Sequence, residues 1–127
     1  MNRLVRSESG FATVWAAGVI AVLATLMSLL LCLVSVVVAR HHAASAADLA
    51  ALAGAVHAVE GEAVACEHAR WVTGRMAVEL VECGLRGWEV TVKVAGVPPG
   101  AGAAFGPAMA AARAGPVGNG PTVDPER

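Results

Sequence analysis

Residues 11–39 read FATVWAAGVIAVLATLMSLLLCLVSVVVA and contain no charged side chain. About 20 helical residues cross a bilayer core of about 30 Å, so this run can span a membrane with about two turns to spare. The apolar part of a secretory signal peptide is usually only ~7–15 residues long. The rest of the chain is also too short to cover such a helix inside a soluble core. The run therefore predicts a membrane-spanning helix that is retained.

Charged residues on either side of this run predict its orientation. Arg3 and Arg6 precede it, whereas Arg40 alone follows closely and the next Lys or Arg is Arg70. Positively charged flanks stay in the cytoplasm. We therefore expect a single-pass protein of the cell membrane, with a cytoplasmic N-terminus and everything beyond Arg40 outside.

Small residues form a stripe within the predicted span, at Ala17, Ala21, Ala24 and Ser28. Such stripes let helices approach closely in lipid. The abundance of alanine in this chain explains the stripe equally well. Cys32 lies in the middle of the apolar run and is most simply a small apolar filler.

The helix is predicted to continue past the membrane, because residues 40–60 are rich in alanine and lack proline. One continuous helix from Phe11 to near Val59 is expected, with Gly54 as its weakest point. A narrow apolar stripe recurs at intervals of three and four residues: Leu49, Leu52, Val56 and Val59. A thin stripe flanked by alanines favours tight packing against other helices over the covering of a broad sheet.

Beyond Gly61 the pattern changes to a short helix followed by a β-hairpin. Residues 62–73 predict the helix, with Gly74 as its left-handed cap. Residues 76–83 resemble a strand and 84–87 a turn. Residues 88–94 alternate strictly, with Trp88 and three valines on one face. An isolated hairpin is marginally stable, so it is expected to pack on the short helix.

The last segment is rich in Gly, Pro and Ala. A linker is expected over 97–102, a weak third strand or helix over 105–114, and a disordered tail from Gly115. The predicted fold class is therefore α+β: a long N-terminal helix, a small helix with a hairpin, and a tail. The predicted segments are a basic leader (1–10), a transmembrane helix (11–39), an alanine-rich extension (40–60), a small domain (61–96) and the C-terminal segment (97–127).

Two cysteines fall in the predicted outer domain, Cys66 on the short helix and Cys83 at the end of the first strand. The predicted orientation places both in an oxidising compartment. A bridge would close a loop of about 17 residues and stabilise by ~3 kcal/mol in the chain-entropy model. We expect this disulfide, with Cys32 free; two buried thiols are the alternative.

The residue inventory argues against enzymes and nucleic-acid binding. No serine follows Ser45, so a Ser-His-Asp arrangement does not assemble outside the membrane. Cys66 and His68 point to different sides of a helix, which disfavours a shared metal ion. The net charge of −1 gives no basic surface for nucleic acid. No catalytic residue, cofactor or small-molecule substrate is predicted.

The N-terminal junction resembles the class III signal of type IV prepilins. It consists of a short basic leader, Gly10, then Phe11 and the apolar helix. The resemblance implies that a prepilin peptidase cuts between Gly10 and Phe11. Glycine suits that position, because it has no side chain to obstruct the protease.

The whole pattern resembles the pilin-like TadE family, and within it the actinobacterial TadE-like proteins encoded beside a helicase and a secretion ATPase. The matching stretches are Gly10–Val14, Ala39–Ala53, Ala65–Cys66, the hairpin from Cys83 to Val94, and Ala112–Pro116. The resemblance implies a structural component of a Tad/Flp-type pilus or a type II/IV-related secretion apparatus. Its implied partners are the lipid bilayer, a prepilin peptidase and other pilin-like or Tad secretion components.

Trp15 departs from the prepilin pattern, which usually has a glutamate five residues into the mature chain. In prepilins that carboxylate is thought to pair with a neighbour's new N-terminal amine. The tip pseudopilin of type II secretion systems also lacks the glutamate, so a minor or capping role is compatible with Trp15. The alternative is a single-pass envelope protein whose disulfide-closed outer domain binds a partner without joining a pilus.

Overall fold

The computed structural model describes residues 8–116 and confirms the α+β class. A long helix α1 is followed by a short helix and a three-stranded antiparallel sheet. The elements are α1 (Glu8–Val56), a 3₁₀ turn (Ala58–Glu60), α2 (Glu62–Arg75), β1 (Glu79–Arg86), β2 (Glu89–Gly96), a second 3₁₀ turn (Gly100–Phe105) and β3 (Ala108–Ala114). The tail that was predicted to be disordered lies, after Pro116, outside the described residues.

Helix α1 is one uninterrupted helix of 49 residues, about 73 Å long at 1.5 Å per residue. It passes through Gly54 without a break and ends at Val56, three residues before the predicted end. The 3₁₀ turn follows, and Gly61, with φ of +103°, redirects the chain into α2. Only glycine adopts such a backbone conformation at no steric cost.

The sheet has the order β1-β2-β3, with β2 in the centre. Val92 lies opposite Cys83 on one side and Ala112 on the other. The inward residues of β2, Val90, Val92 and Val94, are completely buried. The weak element predicted over 105–114 is therefore a strand in the same sheet, and the folded region continues past residue 96.

The sheet lies on the alanine-rich half of α1. Five alanines on one face of the helix are buried: Ala43, Ala46, Ala47, Ala50 and Ala51. Their small side chains let the backbone of the helix approach the sheet closely, and the three valines of β2 fill the layer between them. The expectation that this segment does not cover a sheet is wrong, because the alanines and not the leucines form its contact face. The hairpin packs on both α1 and α2, not on α2 alone.

Three local predictions also need correction. Gly74 lies inside α2, which ends in a Schellman motif with Ala77 at φ +53°. The amide of Val78 donates to Thr73 O (3.1 Å), and the amide of Ala77 donates to Gly74 O (3.3 Å). Strand β1 begins at Glu79 rather than 76, and the hairpin turn is Gly87-Trp88 rather than 84–87. Trp88 therefore lies in the turn and is exposed.

Candidate processing and assembly surfaces

The junction predicted for processing lies in the first turns of α1. A side chain at Gly10 would meet nothing within 4 Å, and Phe11 is exposed. The hydroxyl of Thr13 donates to Gly10 O at 2.9 Å. Because the backbone is helical here, a protease needs local unwinding to reach it. Glycine lowers the cost of that unwinding by roughly 1 kcal/mol relative to alanine.

The N-terminal part of α1 projects away from the remainder of the described chain. Its most apolar window is entirely exposed, and the helix qualifies by length and composition as a candidate membrane span. The hydroxyls of Thr25 and Ser28 donate to the carbonyls of Ala21 (2.8 Å) and Ala24 (2.9 Å). The helix thus satisfies these polar groups internally, as lipid requires.

The small-residue stripe of the span is accessible along its length. Ala17, Ala21, Ala24 and Ser28 are all exposed. The described residues of this chain leave that surface open. Its use in helix packing stays a prediction.

The outer half of α1 has two distinct faces. The alanine face contacts the sheet, and the predicted apolar stripe lies on the opposite side, except for Val59, which follows in the 3₁₀ turn. Leu49, Leu52, Val56 and Val59 are each at least half exposed. These four residues, here named the outer stripe, contribute nothing substantial to the core of the single chain. Exposed apolar surface of this kind is typical of a site that another protein covers.

The predicted disulfide is present. Cys66 on α2 and Cys83 on β1 are bonded, with their Cα atoms 5.9 Å apart, and Cys32 is a free cysteine. The amide of Leu85 also donates to Glu62 Oε2 at 3.3 Å. The N-terminal half of α2 and the second half of β1 are therefore joined by a covalent bond and by a hydrogen bond.

The side chains of His57 and His68 meet in the head, a contact that no local sequence pattern predicts. The rings of His57 and His68 stack with their centroids 3.6 Å apart, and His57 Nδ1 lies 2.7 Å from Glu60 Oε1. Within residues 8–116, no group of three His, Cys, Asp or Glu side chains is placed to hold a metal ion. Cys66 is committed to the disulfide. His57 directly follows α1 and His68 lies on α2, and the ten residues between them hide this contact from any local pattern.

The described residues define a class of protein: a long apolar helix that carries a small, disulfide-linked α+β head on its C-terminal half. Comparison with known families adds a match over the helix. Residues 10–57 match the family described as "Putative Flp pilus-assembly TadE/G-like". The matched stretch is fewer than half of the 127 residues and coincides with α1 from Gly10 to its end. No curated protein and no solved structure was found to match the chain.

Proposed function

We propose that this chain is a TadE-like, pilin-like component of a Tad/Flp-type pilus or a type II/IV-related secretion apparatus, acting by assembly. The observation that carries the proposal is that the two halves of α1 have different surroundings. Its N-terminal part is apolar and projects freely, and its C-terminal part carries the head. The family match covers this same helix from Gly10.

The proposed topology is a single pass through the cell membrane, with the N-terminus in the cytoplasm. Arg3 and Arg6 hold the leader inside, and the head faces the outer compartment. The Cys66–Cys83 bond supports this placement, because disulfides persist in oxidising compartments.

The proposed assembly uses two surfaces of α1 that the chain leaves uncovered. In the membrane, the small-residue stripe lets neighbouring helices approach closely. Outside it, the outer stripe offers leucines and valines to the helix of another pilin-like subunit. Proposed partners are therefore a prepilin peptidase, other pilin-like or Tad components, and the bilayer.

Processing at Gly10 tests the proposal. We expect an active prepilin peptidase to remove residues 1–10 and leave Phe11 as the N-terminus. Gly10→Leu should retain the leader while the protein still inserts, because a side chain at the cut obstructs the peptidase. Gly18→Leu is the matched control: it makes the same substitution on an open helix surface away from the junction. The intact mass of the wild-type protein and of each variant, purified from native membranes, shows whether residues 1–10 have been removed.

A wild-type chain that keeps residues 1–10 in a strain with an active prepilin peptidase would contradict the processing step. The second candidate function would then be favoured: a single-pass envelope protein whose head binds a partner outside any pilus. Trp15 is the observation that favours this alternative, because it supplies no carboxylate to attract a neighbour's amine within lipid.

A further inference from the structure

We propose that the loop between β2 and β3, residues 97–107, reaches with its central part, residues 100–105, into the outer interfacial layer of the membrane and contacts lipid there. The head would then have two attachments to the bilayer, helix α1 and this loop. The inference rests on insertion of α1, which belongs to the proposed function. It adds a lipid-binding surface on the head itself.

The loop descends along α1 toward the membrane span. At the end of β2, a methyl group on Gly96 would lie 3.6 Å from Ala43 Cβ. Six residues later, a methyl group on Gly102 would come within 2.6 Å of Ser35 Oγ. From Ala43 to Ser35 is about 12 Å along the helix axis. The central part of the loop, around Gly102, therefore packs below Arg40, the first charged residue after the span.

The level of Ser35 corresponds to the outer interface of a bilayer. If Phe11 lies at the inner edge of the hydrocarbon, Ser35 is about 36 Å further along the helix. The hydrocarbon core is about 30 Å thick, and core plus headgroup regions span about 40–45 Å. Ser35 and the loop beside it then fall outside the acyl core but within the headgroup layer.

The composition of the loop fits a lipid surface. Residues 94–112 contain no Asp, Glu, Lys, Arg or His. The charged residue of the sheet closest to this end is Glu79, opposite Ala95 at the start of β1. Val97 and Phe105 are more than 70% exposed, and Met109 is 55% exposed. Apolar side chains of this kind bind at the boundary between headgroups and acyl chains.

The surface of the loop adjoins the surface of the membrane span, which favours lipid over a second protein as the partner of the loop. Val97 and Pro99 line one cavity together with His42 and with Val38 and Ala39, the last two residues of the charge-free run. The apolar surface of the charge-free run therefore continues from α1 onto the loop. The outer stripe, in contrast, begins at Leu49, about 15 Å above Ala39 along the helix, where protein is the expected neighbour.

Nitroxide labels on the full-length chain in phosphatidylcholine vesicles test the inference. In a Cys32→Ala background, single labels are placed at Phe105→Cys and, as a second loop position, Ala103→Cys, which is exposed and adjoins Gly102. Trp88→Cys is the matched control, because Trp88 is exposed at the opposite end of the sheet. Leu26→Cys reports insertion of α1. Peptide mapping of the Cys66–Cys83 bond verifies that each variant is folded.

We expect the Phe105 and Ala103 labels to collide more often with oxygen than with a water-soluble nickel complex, as at Leu26. The Trp88 label should show the reverse. Loop labels that behave like Trp88, with Leu26 in lipid, would overturn the inference and leave the proposed function intact. A third outcome is that the loop labels are shielded from both reagents and show spin–spin broadening. If dilution with unlabelled chain removes that broadening, the loop contacts a second copy of this chain and the inference is overturned. Nickel access at Leu26 would overturn both proposals.

Discussion

At the scale of single residues, small side chains decide how closely α1 approaches the head. Gly54 is buried, and a Cβ atom there would lie 3.0 Å from Val90 Cγ1 and 3.1 Å from Ala65 O. The sequence marked Gly54 as the weakest point of the helix. The structure shows it as a point where the helix lies in close contact with both β2 and α2.

Gly54→Val should destabilise the head by about 1–3 kcal/mol, because two neighbours must move to admit the side chain. Denaturant unfolding in micelles, followed by the fluorescence of Trp71 and Trp88, measures the change. Gly18→Val is the control, since Gly18 has nothing within 4 Å. It should leave the unfolding midpoint of the head unchanged. Equal midpoints for the two variants would contradict close packing at Gly54.

At the scale of elements, the disulfide joins two short pieces that have little stability of their own. Helix α2 has 14 residues and β1 is an edge strand of a three-stranded sheet. A helix of this length is marginal in water without tertiary contacts. The bond between Cys66 and Cys83 restricts the unfolded chain between them and so favours the folded arrangement.

Replacing both Cys66 and Cys83 with alanine should lower the free energy of unfolding by ~3 kcal/mol, for a loop with a sequence separation of 17. Denaturant unfolding of the double variant measures the loss. Cys32→Ala serves as control and should change little, because Cys32 lies on the projecting helix. A double variant as stable as the control would show that the α1 contacts alone hold the head together.

At the scale of the whole molecule, the fold separates its internal contacts from the surfaces offered to others. The alanine face of α1 is covered by the sheet, and the outer stripe faces away from it. A change on the outer stripe should therefore affect assembly without affecting the fold of the single chain.

Leu52→Asp should reduce the amount of pilin-like partner that is cross-linked to this chain in native membranes. Its unfolding midpoint should stay close to the wild-type value, because Leu52 is 57% exposed. Val81→Asp is the matched control: it places the same charge at an exposed apolar position on β1. Wild-type yields of cross-linked partner from Leu52→Asp would exclude the outer stripe as an assembly surface.

The sequence by itself determined the elements whose signal is local. A charge-free run and a proline-free, alanine-rich continuation were sufficient to predict α1 across both halves. Strict alternation was sufficient to predict β2. The disulfide was also predictable, because only two cysteines lie outside the apolar run and the orientation favours their oxidation.

Only the tertiary structure decided what packs on what. Alanine carries almost no pattern, so the sequence could not show that Ala43, Ala47 and Ala50 form the contact face while the outer stripe stays exposed. β3 becomes a strand because β2 offers it an edge to pair with, and Ala77 takes a position where glycine is the usual signal. The loop reaches Ser35 because β2 runs antiparallel to α1. Such contacts join residues far apart in the chain, and they follow from shape and chain direction rather than from local composition.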